Sequence, residues 1–115
     1  MIDDMETIIF KVISASGTAK GLAYEALDKG ECGEFKKASM LLCDANKYID
    51  EAHKIQRDLI IDEVNGNAVE ISTLLIHAQD HFMIALEVIN LVERMLKLYE
   101  IIYKVIDERN NKLHV

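Results

Sequence analysis

His77, Asp80 and His81 stand at i, i+3 and i+4 within the run His77-Ala78-Gln79-Asp80-His81-Phe82-Met83. On a helix these three side chains leave from one side. Leu74, Leu75, Ile76, Phe82, Met83 and Ile84 flank them, so two imidazoles and a carboxylate sit in an apolar stretch and need partners. Three readings follow from residue type and spacing. A histidine on an apolar face is most often a hydrogen-bonded structural residue. Imidazoles at i and i+4 also suit zinc or iron, with Asp80 as a further ligand. A closed metal site needs about four ligands, however, and no second pair such as a Glu-x-x-His motif accompanies this one. The third reading is nucleophilic. A neutral imidazole nitrogen attacks a phosphoryl group and carries it as phosphohistidine, while an acceptor on the other nitrogen fixes the tautomer.

The remaining histidines carry less. His53 follows Ala52 with no reactive cluster near it in sequence, and His114 lies in a polar tail. The first reads as structural and the second as solvated. Cys32 and Cys43 form no metal-binding spacing. Cys32 is expected in a turn and Cys43 as a small buried or half-buried residue.

The elements that must position the histidines are helices. The 115 residues include no proline and five glycines, and half are hydrophobic, which fits one domain over 1–115 built from long helices. The formal charge of −7 argues against nucleic acid and anionic membrane surfaces, both of which reward clustered Lys and Arg. No apolar run approaches the roughly 20 residues of a membrane span, and Met1-Ile2-Asp3-Asp4 lacks a signal peptide's basic region. A cytoplasmic protein is expected.

Apolar spacing predicts helices near 3–29, 33–64 and 70–108. Asp3-Asp4-Met5-Glu6 resembles a capping box, and Ile8, Ile9, Val12, Ile13, Ala19, Ala23, Ala26 and Leu27 continue the first helix. Ala15, Ser16, Gly17, Ala19 and Gly21 would let a neighbour approach closely, and the two glycines favour a kink. Gly30-Glu31-Cys32-Gly33 breaks the chain, and Asn65-Gly66 closes the second helix. Asn67-Ala68-Val69-Glu70 or Ser72 caps the third, and the polar tail from Asp107 should fray.

The third helix carries two heptad seams. One runs Ile71, Leu75, Ala78, Phe82, Ala85, Ile89, Val92, Leu96, Tyr99, Tyr103, Ile106; the other runs Leu74, His77, His81, Ile84, Val88, Leu91, Met95, Leu98, Ile102, Val105. Together they make an apolar arc wider than two short-looped neighbours require. Either this helix is central in its own bundle, or one seam faces another copy. The second alternative is preferred, giving a parallel homo-oligomer around the third helix with both histidines on its interface seam.

Leu74-Leu75-Ile76-His77-Ala78-Gln79-Asp80-His81-Phe82-Met83 resembles the signature of the lactose/cellobiose-type enzyme IIA of the sugar phosphotransferase system. Glu6-Thr7-Ile8-Ile9-Phe10, Ala23-Tyr24-Glu25-Ala26-Leu27 and Glu51-Ala52-His53-Lys54-Ile55-Gln56 support the likeness, which covers residues 4 to 104. The family pattern continues with Leu-Met-Thr where this chain has Phe82-Met83-Ile84. The resemblance implies an all-α fold, a three-helix antiparallel bundle assembling as a homotrimer of nine helices. It implies a phosphotransferase component with no small-molecule turnover of its own, serving uptake of a β-linked disaccharide. His77 would accept a phosphoryl group on Nε2 from the phosphocarrier HPr and donate it to a cysteine of the cognate IIB. His81 is assigned a supporting role. Asp80 corresponds to the aspartate near the three-fold axis that binds a shared divalent cation, Mg²⁺. Phosphorelay domains share the chemistry, but their Lys-Gly-x-Ser neighbourhood is missing here, and a metal-binding or purely structural trimer is the rival of a different class.

Overall fold

Each helix of this chain buries one alanine-lined stripe against the other two. The computed structural model describes residues 2–113 and the side chains of residues 4–113. They form α1 (Ile2–Glu31), α2 (Phe35–Val64) and α3 (Thr73–Leu113), with no strand among the described residues. The helices run up, down and up, in a rod of 70 × 22 × 20 Å.

The stripe on α1 is Ile9, Val12, Ala15, Ser16, Ala19, Ala23 and Ala26, all buried. Ala38, Ala45, Ile49 and Ala52 answer from α2, and Leu75, Ala78, Phe82, Ala85, Ile89, Val92 and Leu96 from α3. Alanine at every third or fourth position lets helix axes approach at the short end of the usual 8–10 Å range. α1 packs intimately against both partners, whereas α2 and α3 meet only sparingly. The buried set on α3 is the first heptad seam, from Leu75 through Leu96.

Tyr103 locks the far end. Its hydroxyl donates to the Glu31 carbonyl at 2.7 Å, and its ring packs edge-on against Phe35 with centroids 5.4 Å apart. Gly33, at φ +79°, lies beneath that ring: a Cβ there would come within 2.8 Å of Tyr103 Cε1. Glycine is therefore required twice, by the left-handed backbone and by the close approach. Beside it, the Lys37 ammonium holds the Glu34 carboxyl below the ordinary carboxylate range by a 3.0 Å hydrogen bond and by its charge, helped by Lys29.

Several expectations need correction. Asp3 and Asp4 lie inside α1 instead of capping it, and the Asp3 side chain is outside the described residues. α1 passes through Gly17 and Gly21 without interruption, and both face open space, so only Ala15, Ser16 and Ala19 of that group admit a neighbour. Cys43 is exposed, on the outer side of α2, while Cys32 does lie in the α1–α2 turn. α3 continues to Leu113. Its tail holds neither glycine nor proline, and Glu108 precedes Lys112 by four residues, the favourable order for a helical pair. His114 lies outside the described residues.

Candidate functional site: a histidine pair at the start of α3

The chain enters α3 through a defined turn. Asn65 N–H bonds the Ile61 carbonyl, Gly66 N–H the Glu63 carbonyl and Asn67 N–H the Asp62 carbonyl at 2.8 Å, with Gly66 supplying the positive φ of +87°. Ser72 then caps α3: its Oγ accepts the Leu75 N–H at 3.1 Å. Of the two cap sites open in the sequence, Ser72 is the one used, because Asn67 and Glu70 precede the first helical residue by several positions. The cap places His77 at the fifth helical residue, just beyond the turn in which the helix dipole is strongest.

Leu75, Ala78 and Phe82 anchor this part of α3 in the core. That rotation turns His77 outward, exposed, and leaves His81 half-buried. Their Nε2 atoms are 3.1 Å apart and the rings stand perpendicular, at 87°, with centroids 4.5 Å apart. Asp80 is exposed on the same side of α3, about 60° round the axis from His77 at 3.6 residues per turn. The spacing thus brings the two imidazoles into contact, with the carboxylate on the same side of the helix but not joined to them. Among the described residues of one chain, no three His, Cys, Asp or Glu side chains converge as a closed metal site would need.

His53 has a neighbour that sequence proximity did not reveal. It projects from α2 with its ring 5.7 Å from that of Phe82, so α2 covers the core side of the residue that follows His81. Gln56 was also missed. It lines a shallow cleft with Leu59, Val69, Leu75, Ile76 and Gln79, and its buried Oε1 has no hydrogen-bond partner among the described residues. A polar residue at a helical core register (Ala52, Gln56, Leu59) was the available signal.

The second seam behaves unlike the first. Ile84, Leu91, Met95, Leu98, Ile102 and Val105 are 41–59% exposed. A continuous apolar row with histidines at one end therefore lies outside the core of the single chain.

Comparison with known proteins places this arrangement. The family model for the lactose/cellobiose-specific IIA subunit of the PTS system matches residues 7–100. The lichenan-specific phosphotransferase enzyme IIA component of Bacillus subtilis is 36% identical over 100 residues, covering 87% of this chain and 91% of that protein. The crystal structure of the PTS cellobiose-specific enzyme IIA from Bacillus anthracis is similar at a TM-score of 0.83 and 40% identity, over 86% of this chain and 91% of that one. The IIA(chitobiose) of Escherichia coli, solved in complex with HPr, is similar at 0.74 and 30% identity, over 85% and 95% of the two chains. The chain belongs to the lactose/cellobiose-specific IIA family of the sugar phosphotransferase system, whose members are phosphotransferase components that carry phosphoryl groups.

Proposed function

We propose that His77 is the group that carries the phosphoryl, accepting it from HPr and passing it to a cysteine of a IIB partner during uptake of a β-linked disaccharide. The observation that carries this reading is the exposure of His77 beside His81 at the capped start of α3. A macromolecular donor needs an accessible nucleophile on a shallow surface, and His77 has that setting. The chitobiose IIA complexed with HPr supports HPr as the donor. Relatives named for lichenan, lactose, cellobiose and chitobiose leave the sugar to be found by experiment.

The step is a displacement at phosphorus. The Nε2 lone pair of neutral His77 attacks, the donor's bond to phosphorus breaks, and the donor leaves with that electron pair. In the second transfer a thiolate attacks the same phosphorus and His77 leaves with its lone pair restored. His81 is a positioning residue: an N–H on its Nε2 would donate to a phosphoryl oxygen and orient the group for the next partner.

The exposed second seam supports a homotrimer of parallel α3 helices, a nine-helix bundle, and membership of the IIA family supports a cytoplasmic setting for it. Three Asp80 carboxylates meeting at an axis could not all stay ionised unaided. Their oxygens fit a hard ion, so Asp80 would hold a shared Mg²⁺, which supplies charge neutralisation when bound. No helix of the described residues is long and apolar enough to cross a membrane.

Incubation with phosphoenolpyruvate, enzyme I and HPr should label the protein with acid-labile, alkali-stable phosphate. His77→Gln should abolish the label while leaving the oligomer intact. A folded wild-type protein that takes no label would sink the carrier reading and favour a structural trimer.

A further inference from the structure

The nitrogens of the histidine pair are within hydrogen-bond distance, and their spacing is also that of a chelate. A ring centre lies about 1.2 Å behind its nitrogen, so a head-on hydrogen bond at this Nε2 separation would hold the two centres about 5.4 Å apart. The observed separation is 4.5 Å. The nitrogens do not point straight at one another. Two imidazoles that instead aim at one metal ion at about 2.05 Å, with their nitrogens 3.1 Å apart, subtend about 98° at the ion and hold their centres about 4.8 Å apart. The observed centre separation is nearer to that value than to the head-on one, so a small side-chain adjustment brings both nitrogens onto one ion at an angle between the octahedral and tetrahedral values.

We infer that His77 and His81 form a bidentate imidazole site for one divalent transition-metal ion, of the zinc, nickel or copper class, within a single chain. Imidazole nitrogen selects these ions over Mg²⁺, which prefers oxygen. The exposure of His77 gives the ion an entry path and leaves its other positions to water. The net charge of −7 favours cations near the surface of this chain. This site is distinct from one at Asp80: it uses nitrogen, needs no second chain and holds one ion per chain.

One consequence rests on the phosphoryl role proposed for His77. The ion and the phosphoryl group require the same Nε2 lone pair, so each excludes the other. A metal-loaded chain accepts no phosphoryl group, and a phosphorylated chain has lost one of its two metal ligands.

Zinc chloride titrated into the purified protein by calorimetry should bind at one ion per chain, with the imidazole Nε2 resonances of both His77 and His81 shifting. His77→Ala and His81→Ala should each weaken binding at least about tenfold, because the second imidazole no longer closes the ring intramolecularly. Asp80→Asn should retain it. Binding that needs Asp80 and ignores His81→Ala, or no heat and no shift at millimolar zinc, overturns the chelate. A chain that is phosphorylated normally yet fails to bind zinc sinks this inference alone. One that binds zinc but takes no phosphoryl group sinks the carrier reading alone.

Discussion

Leu91 lies near the middle of the outer seam and is 52% exposed in the single chain. Full burial of a leucine stabilises by about 1.5–3 kcal/mol, so covering the half still exposed is worth about 1 kcal/mol per chain. In a parallel trimer the same residue recurs three times in one layer, for about 3 kcal/mol, or a factor of about one hundred in the association constant. Leu91→Ala should weaken the trimer by that order. Leu91→Lys goes further, because three ammonium groups would share one layer and each carries a desolvation cost of several kcal/mol. It should leave monomers at micromolar concentration. Asn90→Lys adds the same charge one residue away, about 100° round the helix and off the seam, and should leave the assembly unchanged. Sedimentation equilibrium reads all three. A Leu91→Lys chain that sediments with the wild-type mass would refute the assignment of this seam to the interface. So would equal dissociation of the Leu91→Lys and Asn90→Lys chains, which would implicate charge alone.

Other consequences can be checked by urea or acid titration. Gly33→Ala should cost more than Gly66→Ala in urea midpoint: both glycines have positive φ, worth about 1–2 kcal/mol against alanine, but only Gly33 also meets the Tyr103 ring. Equal losses would show that Tyr103 gives way freely. Ser72→Ala removes the α3 cap and should destabilise by about 1 kcal/mol; an unchanged midpoint would mean that water replaces the hydroxyl. Glu34 has a depressed carboxyl pKa through Lys37 and Lys29. Its contribution is therefore present above the unfolded carboxylate range and lost as pH falls through the folded value, so Glu34→Gln should flatten the acid limb of the stability profile slightly. Asp80→Asn should remove any dependence of trimer stability on Mg²⁺, which chelator titration of both proteins would show.

The α3 buried seam was legible because period and burial coincide: every member from Leu75 to Leu96 is buried. The helix breaks were legible for a similar local reason, since glycine at Gly33 and Gly66 meets a positive φ in both turns. Features made by distant contacts were hidden. Nothing near Tyr103 in sequence announces that its hydroxyl reaches Glu31, and His53 meets Phe82 only because α2 folds back along α3. The end of α3 departs from the expectation because polarity alone does not end a helix: a solvated helix needs only helix-forming residues and no breaker, and α3 runs to Leu113.

The site itself was half legible. Residue types and an i, i+4 step place two histidines on one face, but the step alone does not say whether their nitrogens meet. That depends on how α3 is rotated by its core. Phe82 and Ala78 bury on one side, and the seam bearing His77 and His81 is thereby turned to the surface, one end histidine and the rest aliphatic. A single helical register thus sets both the accessibility of His77 and the apolar row that another copy would cover. If the two are coupled in this way, phosphoryl uptake and assembly should respond together to changes along the seam. Leu91→Lys lies about 21 Å from His77 at 1.5 Å per residue, too far to touch the imidazole. A fall in phosphoryl uptake that tracks its dissociation would show that a neighbouring copy completes the donor-docking surface. Full uptake by the monomer would show that one chain suffices, and that the histidine end of the seam belongs to the partners while only the aliphatic stretch belongs to the trimer.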